Sequence, residues 1–246
     1  MKHVTRLLQA TWGLCAWAVF LLCGFVALIL VTIVPGGGNR ERIVTAASRA
    51  VFVLTGIRVR VTGREHLPDG HSVVVANHAS YVDGPLLNGY LPSRFSFVIK
   101  GEMRSIPIIH FLLRRGGSQF VERFTAAGSA RDARKIVKAA RDGQSLAFFP
   151  EGTFTAEPGV ARFRPGAFVA ATRGGMAVVP VAIRGTRQML PAGRILPRPC
   201  RIEIEILPPI GADDPLFTDH RALAEAARER VAAAVGEDRS EPAAEG

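Results

Sequence analysis

The sequence predicts an α/β protein: a single domain with a mixed, largely parallel sheet flanked by helices, preceded by an N-terminal membrane helix or helical hairpin. Two observations carry this prediction. A long uncharged apolar run stands near the N-terminus, and from residue 57 onward short β-branched runs alternate with helical patterns. We therefore divide the 246 residues into 1–56 as a membrane-anchoring segment, 57–236 as the α/β domain and 237–246 as a polar, disordered tail.

The apolar run extends from Trp12 to Val34, about 23 residues, or roughly 34 Å as a helix, which is enough to cross the hydrocarbon core of a bilayer. It is too long for the core of a signal peptide, and no small-residue cleavage site precedes Pro35. Basic residues flank both ends, so they do not fix an orientation. Two arrangements stay open: one span, or a hairpin that enters a single leaflet with Ile43–Leu54 as its amphipathic second arm.

The α/β domain is read from the alternation of apolar runs with helical patterns. Strands are predicted at Val73–Ala76, Phe95–Ile99, Leu146–Phe149, Val178–Ile183 and Ile202–Ile206, with a shorter one inside Gly117–Arg123. Helices are predicted near Pro85–Leu91, Ile108–Arg114, Ala130–Arg141, Ala167–Arg173 and Asp219–Val235. Pro180 lies inside an apolar strand, which predicts an edge strand or a bulge at that position.

The composition is that of a folded, basic protein. With 48% hydrophobic residues the chain is not disordered, and its net charge of +10 comes almost entirely from Arg. Such a surface could face nucleic acid, anionic lipid or an anionic small molecule, or simply reflect Arg-rich codon usage. No nucleic-acid-binding motif is present, so we expect no nucleic-acid partner. Cys15, Cys23 and Cys200 give neither a disulfide framework nor metal-ligand spacing, and the His residues are scattered, so we expect no metal.

His78 and Asp83 follow the strand Val73–Ala76 and are the first candidates for chemistry. A His supported by an Asp is a general base whose tautomer is fixed and whose protonated form is stabilised. Five residues of continuous helix would put the two side chains on different faces, so the pairing needs a loop that folds back before a helix starting near Asp83. Alone, this spacing occurs by chance in roughly one chain in four, and a turn His beside an N-capping Asp is the plainer interpretation.

Three further segments have plain structural explanations when they are taken singly. Gly117–Arg123 is compatible with a surface strand that ends in a solvated charge pair. Phe149–Thr153 follows a strand, where α/β sheets bind ligands, but it also fits a simple Pro-Glu-Gly turn. Val178–Ile183 needs no function beyond core packing.

In this order and spacing the four segments resemble the motifs of the glycerolipid acyltransferases related to 1-acyl-sn-glycerol-3-phosphate acyltransferase. The resemblance runs from about Val61 to Ile206, and His78 and Asp83 match the His-x4-Asp motif of that family. A block such as Phe-Pro-Glu-Gly-Thr is expected by chance on the order of once in ten thousand such chains. The other matching positions are Phe120, Arg123, Glu151, Gly152, Thr153, Lys100, Glu102, Met103, Pro107, Phe163, Gly166 and Ala167.

The resemblance implies a cofactor-free enzyme that moves a fatty acyl chain from acyl-CoA or acyl-carrier protein to the free hydroxyl of a lysophospholipid. The expected acceptor is 1-acyl-sn-glycerol-3-phosphate, which would give phosphatidic acid. His78 would deprotonate the hydroxyl and Asp83 would support it. Because thioester donors are cytosolic, the α/β domain should face the cytoplasm from the inner membrane of the cell. The residues expected to bind the substrate are Arg123, Lys100, Glu151, Gly152 and Thr153.

Two departures from the family pattern concern the acceptor. Phe154 and Thr155 stand where many members have Arg-Ser, and His110 stands where many have Gly. The acceptor could therefore be another lysolipid, such as a lyso-amino-acid lipid or a lysophosphodiester. Two rival functions are a serine hydrolase using Ser80 with His78, although no Gly-x-Ser-x-Gly elbow exists, and a non-catalytic membrane-bound module that binds anionic lipid.

Overall fold

A seven-stranded sheet forms the centre of the computed structural model, which describes residues 2–121, 126–154 and 157–236. The strands are β1 (Arg58–Thr62), β2 (Ser72–Ala76), β3 (Ser96–Lys100), β4 (Gln119–Val121), β5 (Leu146–Phe148), β6 (Ala177–Arg184) and β7 (Arg201–Ile206). The helices are α1 (Lys2–Ile33), α2 (Gly37–Leu54), α3 (Asp83–Tyr90), α4 (Pro107–Arg115), α5 (Ala126–Arg141), α6 (Gly166–Gly174), α7 (Thr186–Met189) and α8 (His220–Val235). The tail that the sequence predicts to be disordered, residues 237–246, lies outside the described residues.

The strand order is β1-β7-β6-β2-β5-β3-β4, with β2 in the middle. Five of the six pairings are parallel, and β6 with β7 is antiparallel. The predicted fold class, an α/β domain with a mixed and largely parallel sheet, is therefore confirmed. Each predicted strand and helix has a counterpart with ends shifted by a few residues. The elements β1 and α7 were not predicted individually. β1 has no fully buried residue, since exposed residues alternate with partly buried ones, and α7 is a single turn.

The sheet is buried on both faces, and β2 contributes side chains to the hydrophobic core on each face. Val73 and Val75 point into a core built with α5, α6 and α8, while Val74 and Ala76 point into a second core built with α2 and α3. Successive side chains of a strand alternate between faces, so a continuous apolar run is what a strand covered on both sides requires. This arrangement leaves only the ends of the central strands open for ligands.

Pro180 lies in the central strand β6, so the prediction of an edge strand is wrong and the alternative of a bulge is right. Val181 pairs with Ile206, and Val178 bridges Ile210, so two residues of β6 face three of the opposite segment. The Pro180 carbonyl accepts from the Leu207 amide at this place. In a strand, the nitrogen and the carbonyl of one residue point to the same neighbouring strand. The Pro180 nitrogen, which has no hydrogen to donate, therefore faces the bulge, where no regular hydrogen bond between strands is lost.

α1 and α2 are joined by three residues and pack against each other as a helical hairpin. One face of α1 is buried, through Ala16, Cys23, Ala27 and Val31. The rest of α1 carries exposed large apolar side chains, and its segment Val4–Ile33 is long and apolar enough to cross a membrane by length and composition. The hairpin thus presents a broad apolar surface away from the sheet.

α2 buries one of its faces against the domain. Val44 and Phe52 are its buried residues, and Leu54, which the sequence places in an amphipathic arm that enters a leaflet, is exposed. The reason is the position of α3, whose Gly89 lies directly against the backbone of α2: a Cβ there would be 2.7 Å from the Arg49 amide nitrogen. Contact between the two helices selects the face of α2, and this contact is invisible in the periodicity of α2 alone.

Candidate active site

The candidate site lies at the carboxyl ends of the two central strands β2 and β5. These strands are parallel neighbours, so the segments that follow them, one containing His78 and the other Glu151, emerge side by side. Loops at this edge of an α/β sheet are the usual place for ligands. The sheet therefore brings together two sequence motifs that are more than seventy residues apart in the chain.

His78 and Asp83 are in direct contact. The loop after β2 folds back on the start of α3, and His78 Nδ1 lies 2.9 Å from Asp83 Oδ2. Asp83 is the first residue of α3 and is fully buried, while the His78 side chain keeps 19% of its surface exposed. Because Nδ1 is engaged by the carboxylate, Nε2 is the ring nitrogen left for a substrate. The predicted pairing through a folded-back loop is present in this geometry.

Asp83 also holds the loop that carries His78. Its Oδ2 accepts hydrogen bonds from the backbone amides of Ala79, at 2.7 Å, and Ser80, at 2.8 Å. One oxygen thus receives two backbone amides and the imidazole. Asp83 is therefore not a plain N-cap: its carboxylate points back to the preceding loop rather than to the first amides of the helix.

Glu151 connects the His78 loop, residues 77–82 between β2 and α3, to the segment before α6. Its Oε1 accepts from the His78 backbone amide at 2.7 Å, and its Oε2 accepts from the Ala161 amide at 2.8 Å. The side chain is buried, with 7% of its surface exposed. Both oxygens are thus engaged with backbone groups, so the geometry gives Glu151 a role in positioning His78 that motif reading did not anticipate. A direct role in binding substrate stays a prediction.

The other two residues of the Glu-Gly-Thr block differ in environment. Gly152 is buried and has φ +81°, a backbone conformation that favours glycine, in a turn closed by its amide and the Phe149 carbonyl. Thr153 is exposed beside it. The turn explains why the block needs glycine, and the predicted contacts of both residues with substrate stay predictions.

Two buried polar residues fix the ends of the His78 loop: Asn77, which the sequence analysis did not single out, and Ser80, considered there only as a hydrolase nucleophile. Asn77 exchanges two hydrogen bonds with the backbone of Ile183 in β6, at 2.7 and 3.0 Å. Ser80 Oγ donates to the Leu190 carbonyl at 2.6 Å and is fully buried. This hydroxyl is occupied and shielded, which argues against the hydrolase alternative. The available signal was a run of polar residues directly after a fully buried strand.

Aromatic rings surround the exposed side of the imidazole. The Phe149 ring stacks on His78 with centroids 4.5 Å apart, and Phe154 meets His78 edge-on at 4.6 Å. Tyr81, 62% exposed, packs against Phe154 at 4.7 Å. These rings give the base an apolar surrounding that suits an acyl chain. Phe149 and Tyr81 were missed because an aromatic residue beside a motif is ordinary in sequence.

The other predicted binding residues are less fully described. Arg123 lies outside the described residues, and only the backbone of Lys100, the last residue of β3, is described. β3 and β4 are parallel and both lead toward the same edge of the sheet as β5. His110, where relatives carry Gly, lies in α4 with its ring 4.8 Å from that of Phe120. Within residues 2–121, 126–154 and 157–236, no group of three His, Cys, Asp or Glu side chains could hold a metal ion.

Comparison with known proteins decides the family. The sequence profile of the family described as Acyltransferase matches residues 58–184, just over half of the chain. The chain belongs to the acyltransferase family. The matched region begins with β1 and ends with β6, and it contains His78, Asp83 and the Glu151 loop. The motif-based resemblance is thereby confirmed.

Individual acyltransferases are similar to this chain in sequence or in structure. A 1-acyl-sn-glycerol-3-phosphate acyltransferase of Chlamydomonas reinhardtii is 32% identical over 72% of this chain and 53% of its own length. A lyso-ornithine lipid O-acyltransferase of Pseudomonas aeruginosa is 34% identical over 54% of this chain and 50% of its own. The chain thus spans about half the length of these relatives. The crystal structure of the 1-acyl-sn-glycerophosphate acyltransferase PlsC from Thermotoga maritima matches with TM-score 0.78 and 25% identity, over 96% of this chain and 97% of that one.

Proposed function

We propose that this acyltransferase moves a fatty acyl chain from acyl-CoA or acyl-carrier protein to the free hydroxyl of 1-acyl-sn-glycerol-3-phosphate, giving phosphatidic acid. The observation that carries the proposal is the His78–Asp83 pair at 2.9 Å, placed at the carboxyl edge of the sheet with the second ring nitrogen free. The relatives named above as acylating this lysolipid support the choice of acceptor.

The reaction follows from what the pair can do with a proton. Nε2 of His78 takes the proton of the acceptor hydroxyl while its oxygen attacks the thioester carbonyl. Asp83 stabilises the imidazolium that forms. The tetrahedral intermediate then breaks its C–S bond, and the thiolate receives the proton from His78, so the base is restored. No acyl-enzyme is needed, because a thioester is already activated. Backbone amides near a helix start are the proposed partners of the oxyanion.

The acceptor phosphate is proposed to bind Arg123, with Lys100 beside it. A guanidinium can grip a phosphate monoester with two parallel hydrogen bonds. Glu151, Gly152 and Thr153 are proposed to line the same pocket, where Glu151 acts through the His78 backbone that it holds.

A second acceptor is favoured by one specific contact. Phe154 stands where many relatives carry Arg, and its ring lies against both His78 and Tyr81. An apolar ring at this place removes a phosphate ligand from the site. The similarity to a lyso-ornithine lipid O-acyltransferase fits that alternative, in which the acceptor carries an amino-acid headgroup.

A panel of acceptors tests the two alternatives. In purified protein, Arg123→Ala should raise KM for 1-acyl-sn-glycerol-3-phosphate roughly 10- to 150-fold, because a charge-assisted pair contributes about 1.5–3 kcal/mol. KM for the acyl donor should stay nearly unchanged, and Arg123→Lys should recover only part of the loss. Phe154→Arg is assayed beside the wild type and Arg123→Ala, on 1-acyl-sn-glycerol-3-phosphate and on neutral-headgroup lysolipids. Rejection of 1-acyl-sn-glycerol-3-phosphate by the wild type would replace the proposed acceptor and leave acyl transfer in place.

The proposed location is the inner membrane, with the α/β domain on the cytoplasmic side where thioester donors are found. The exposed apolar face of α1 supports attachment by burial in lipid. We expect the full chain to stay in the membrane fraction after a high-salt wash, since salt screens charge attraction but not apolar burial. Deletion of residues 1–36, with α2 retained, should release part of the protein and lower activity on vesicle-embedded substrate. Complete release of the intact chain by salt would contradict hydrophobic attachment.

A further inference from the structure

A cavity adjoins the His78 loop on the far side of Glu151. It is an open cavity of about 800 Å³ between the start of α6 and the first turns of α8. Glu151 contributes to its wall and links it to the site, because one carboxylate oxygen takes the His78 amide and the other takes the Ala161 amide. The remaining lining residues are Ala161, Arg162, Phe163, Arg164, Pro165, Arg221, Ala224 and Glu225.

The charge of this cavity is positive. Arg162, Arg164 and Arg221 are exposed, and none of their guanidinium groups is seen to bond to a described residue. Of the two acidic residues, Glu151 is engaged by backbone amides. The other, Glu225, is 2.9 Å from Arg228 Nε, and this hydrogen bond lowers the pKa of Glu225, which therefore stays ionised and neutralised by its partner. Arg162 also acts electrostatically on Glu225, and Arg221 on Asp219, but the three arginines outnumber the two acidic residues of the lining. The cavity therefore keeps an excess of positive charge that suits an anion, and the start of α6 adds the positive end of a helix dipole.

The cavity also lies on the opposite side of the sheet from the apolar hairpin. Phe163 and Ala224 in its wall belong to the core that contains α6 and α8. Trp12 and Trp17 of α1 pack against the other core, and Trp17 Nε1 donates to the Ile195 carbonyl there. A lipid acceptor held at the hairpin would therefore reach the base from one side. The arginine cavity is open to a water-soluble molecule from the other.

We propose that this arginine cavity binds the phosphate of the phosphopantetheine arm of the acyl donor. The inference rests on the proposed function, since it names where the donor lies relative to His78. Both candidate donors carry this phosphate at the end of the arm opposite the thioester: in acyl-CoA it belongs to the nucleotide diphosphate, and in acyl-carrier protein it joins the arm to a serine. Anchoring the phosphate beyond Glu151 lets the flexible arm bring the thioester carbonyl to His78.

Binding by the detergent-solubilised full chain tests the proposal without turnover. The probes are 4′-phosphopantetheine against pantetheine, which lacks only the phosphate, and the carrier protein with and without its phosphopantetheine arm. The wild type should bind at least one phosphorylated probe about 10-fold more tightly than its counterpart, and Arg162→Ala/Arg164→Ala should abolish that difference. Equal affinity of the wild type within both pairs, or an unchanged difference in the variant, would overturn the proposal.

Kinetics separate this inference from the proposed function. Arg162→Ala/Arg164→Ala should raise KM for the phosphorylated donor about 10-fold, leave KM for the lysolipid within twofold, and change nothing with acyl-pantetheine. The charge-matched control is Arg58→Ala/Arg173→Ala. Both side chains are exposed, in β1 and near the end of α6, and neither lines the cavity. A raised KM for the lysolipid instead would show an acceptor site and overturn the inference alone. A wild type that binds CoA through the cavity but transfers no acyl group would refute only the proposed function.

Discussion

His78→Ala is expected to lower the rate of acyl transfer by at least about 100-fold, because removal of a positioned general base costs 10²–10⁴ in rate. The folded state should persist, since the side chain is partly exposed and its removal leaves the Glu151 bond to the His78 backbone in place. The measurements are initial rates with saturating donor and acceptor, and thermal unfolding to compare stability.

The matched control for this variant is His71→Ala. His71 is exposed just before β2, at the end of the strand opposite to His78, so it tests loss of an imidazole without loss of the base. Its activity should stay near that of the wild type. If His78→Ala retained even a tenth of the wild-type rate, the general-base mechanism would be wrong.

Asp83→Asn is expected to cost up to roughly 10,000-fold in kcat, the loss seen when the carboxylate behind a catalytic His is replaced by an amide. The structure separates two functions of this side chain. The amide oxygen can still occupy the Oδ2 position and accept from Ala79 and Ser80, so the loop keeps its shape. The negative charge that stabilises the imidazolium is lost. Rates and thermal unfolding of the same preparation distinguish the two effects.

Asp83→Ala should add a stability loss to the same loss of rate. Two backbone amides and the imidazole then lose a buried acceptor, and each unsatisfied buried group costs about 1–3 kcal/mol. Asp142→Asn is the control, because that carboxylate pairs with Lys138 on the surface of α5. Wild-type activity in Asp83→Asn would show that His78 needs no carboxylate behind it.

The family could be recognised and the His78–Asp83 pair proposed from the sequence, because each rests on short, local signals. Pro85 at the start of a helix and a fully apolar strand before His78 already placed the pair in a loop between two elements. Residue spacing could not decide whether the side chains meet, because that depends on how the loop turns. Asn77 and Ser80 hold that turn through backbone groups of Ile183 and Leu190, far away in the chain.

The same distinction explains what residue patterns left open. Pro180 indicated either an edge strand or a bulge, and the structure has the bulge, because an extra residue lies opposite this central strand. The period of α2 did not show which of its residues pack against the domain, because close contact with Gly89 of α3 selects that face. In both cases a neighbour distant in sequence decides the outcome.

The fold class, the apolar N-terminal helix and the candidate His-Asp pair can be read from the chain, since periodicity, charge and motif order are local properties of a sequence. The surroundings of the pair depend on how the chain folds. The tertiary structure placed Glu151 as the link between His78 and Ala161, arranged Phe149 and Phe154 against the imidazole, and gathered separated arginines around one cavity. These relations join segments that follow different strands, and parallel strands bring their ends together only once the sheet has formed.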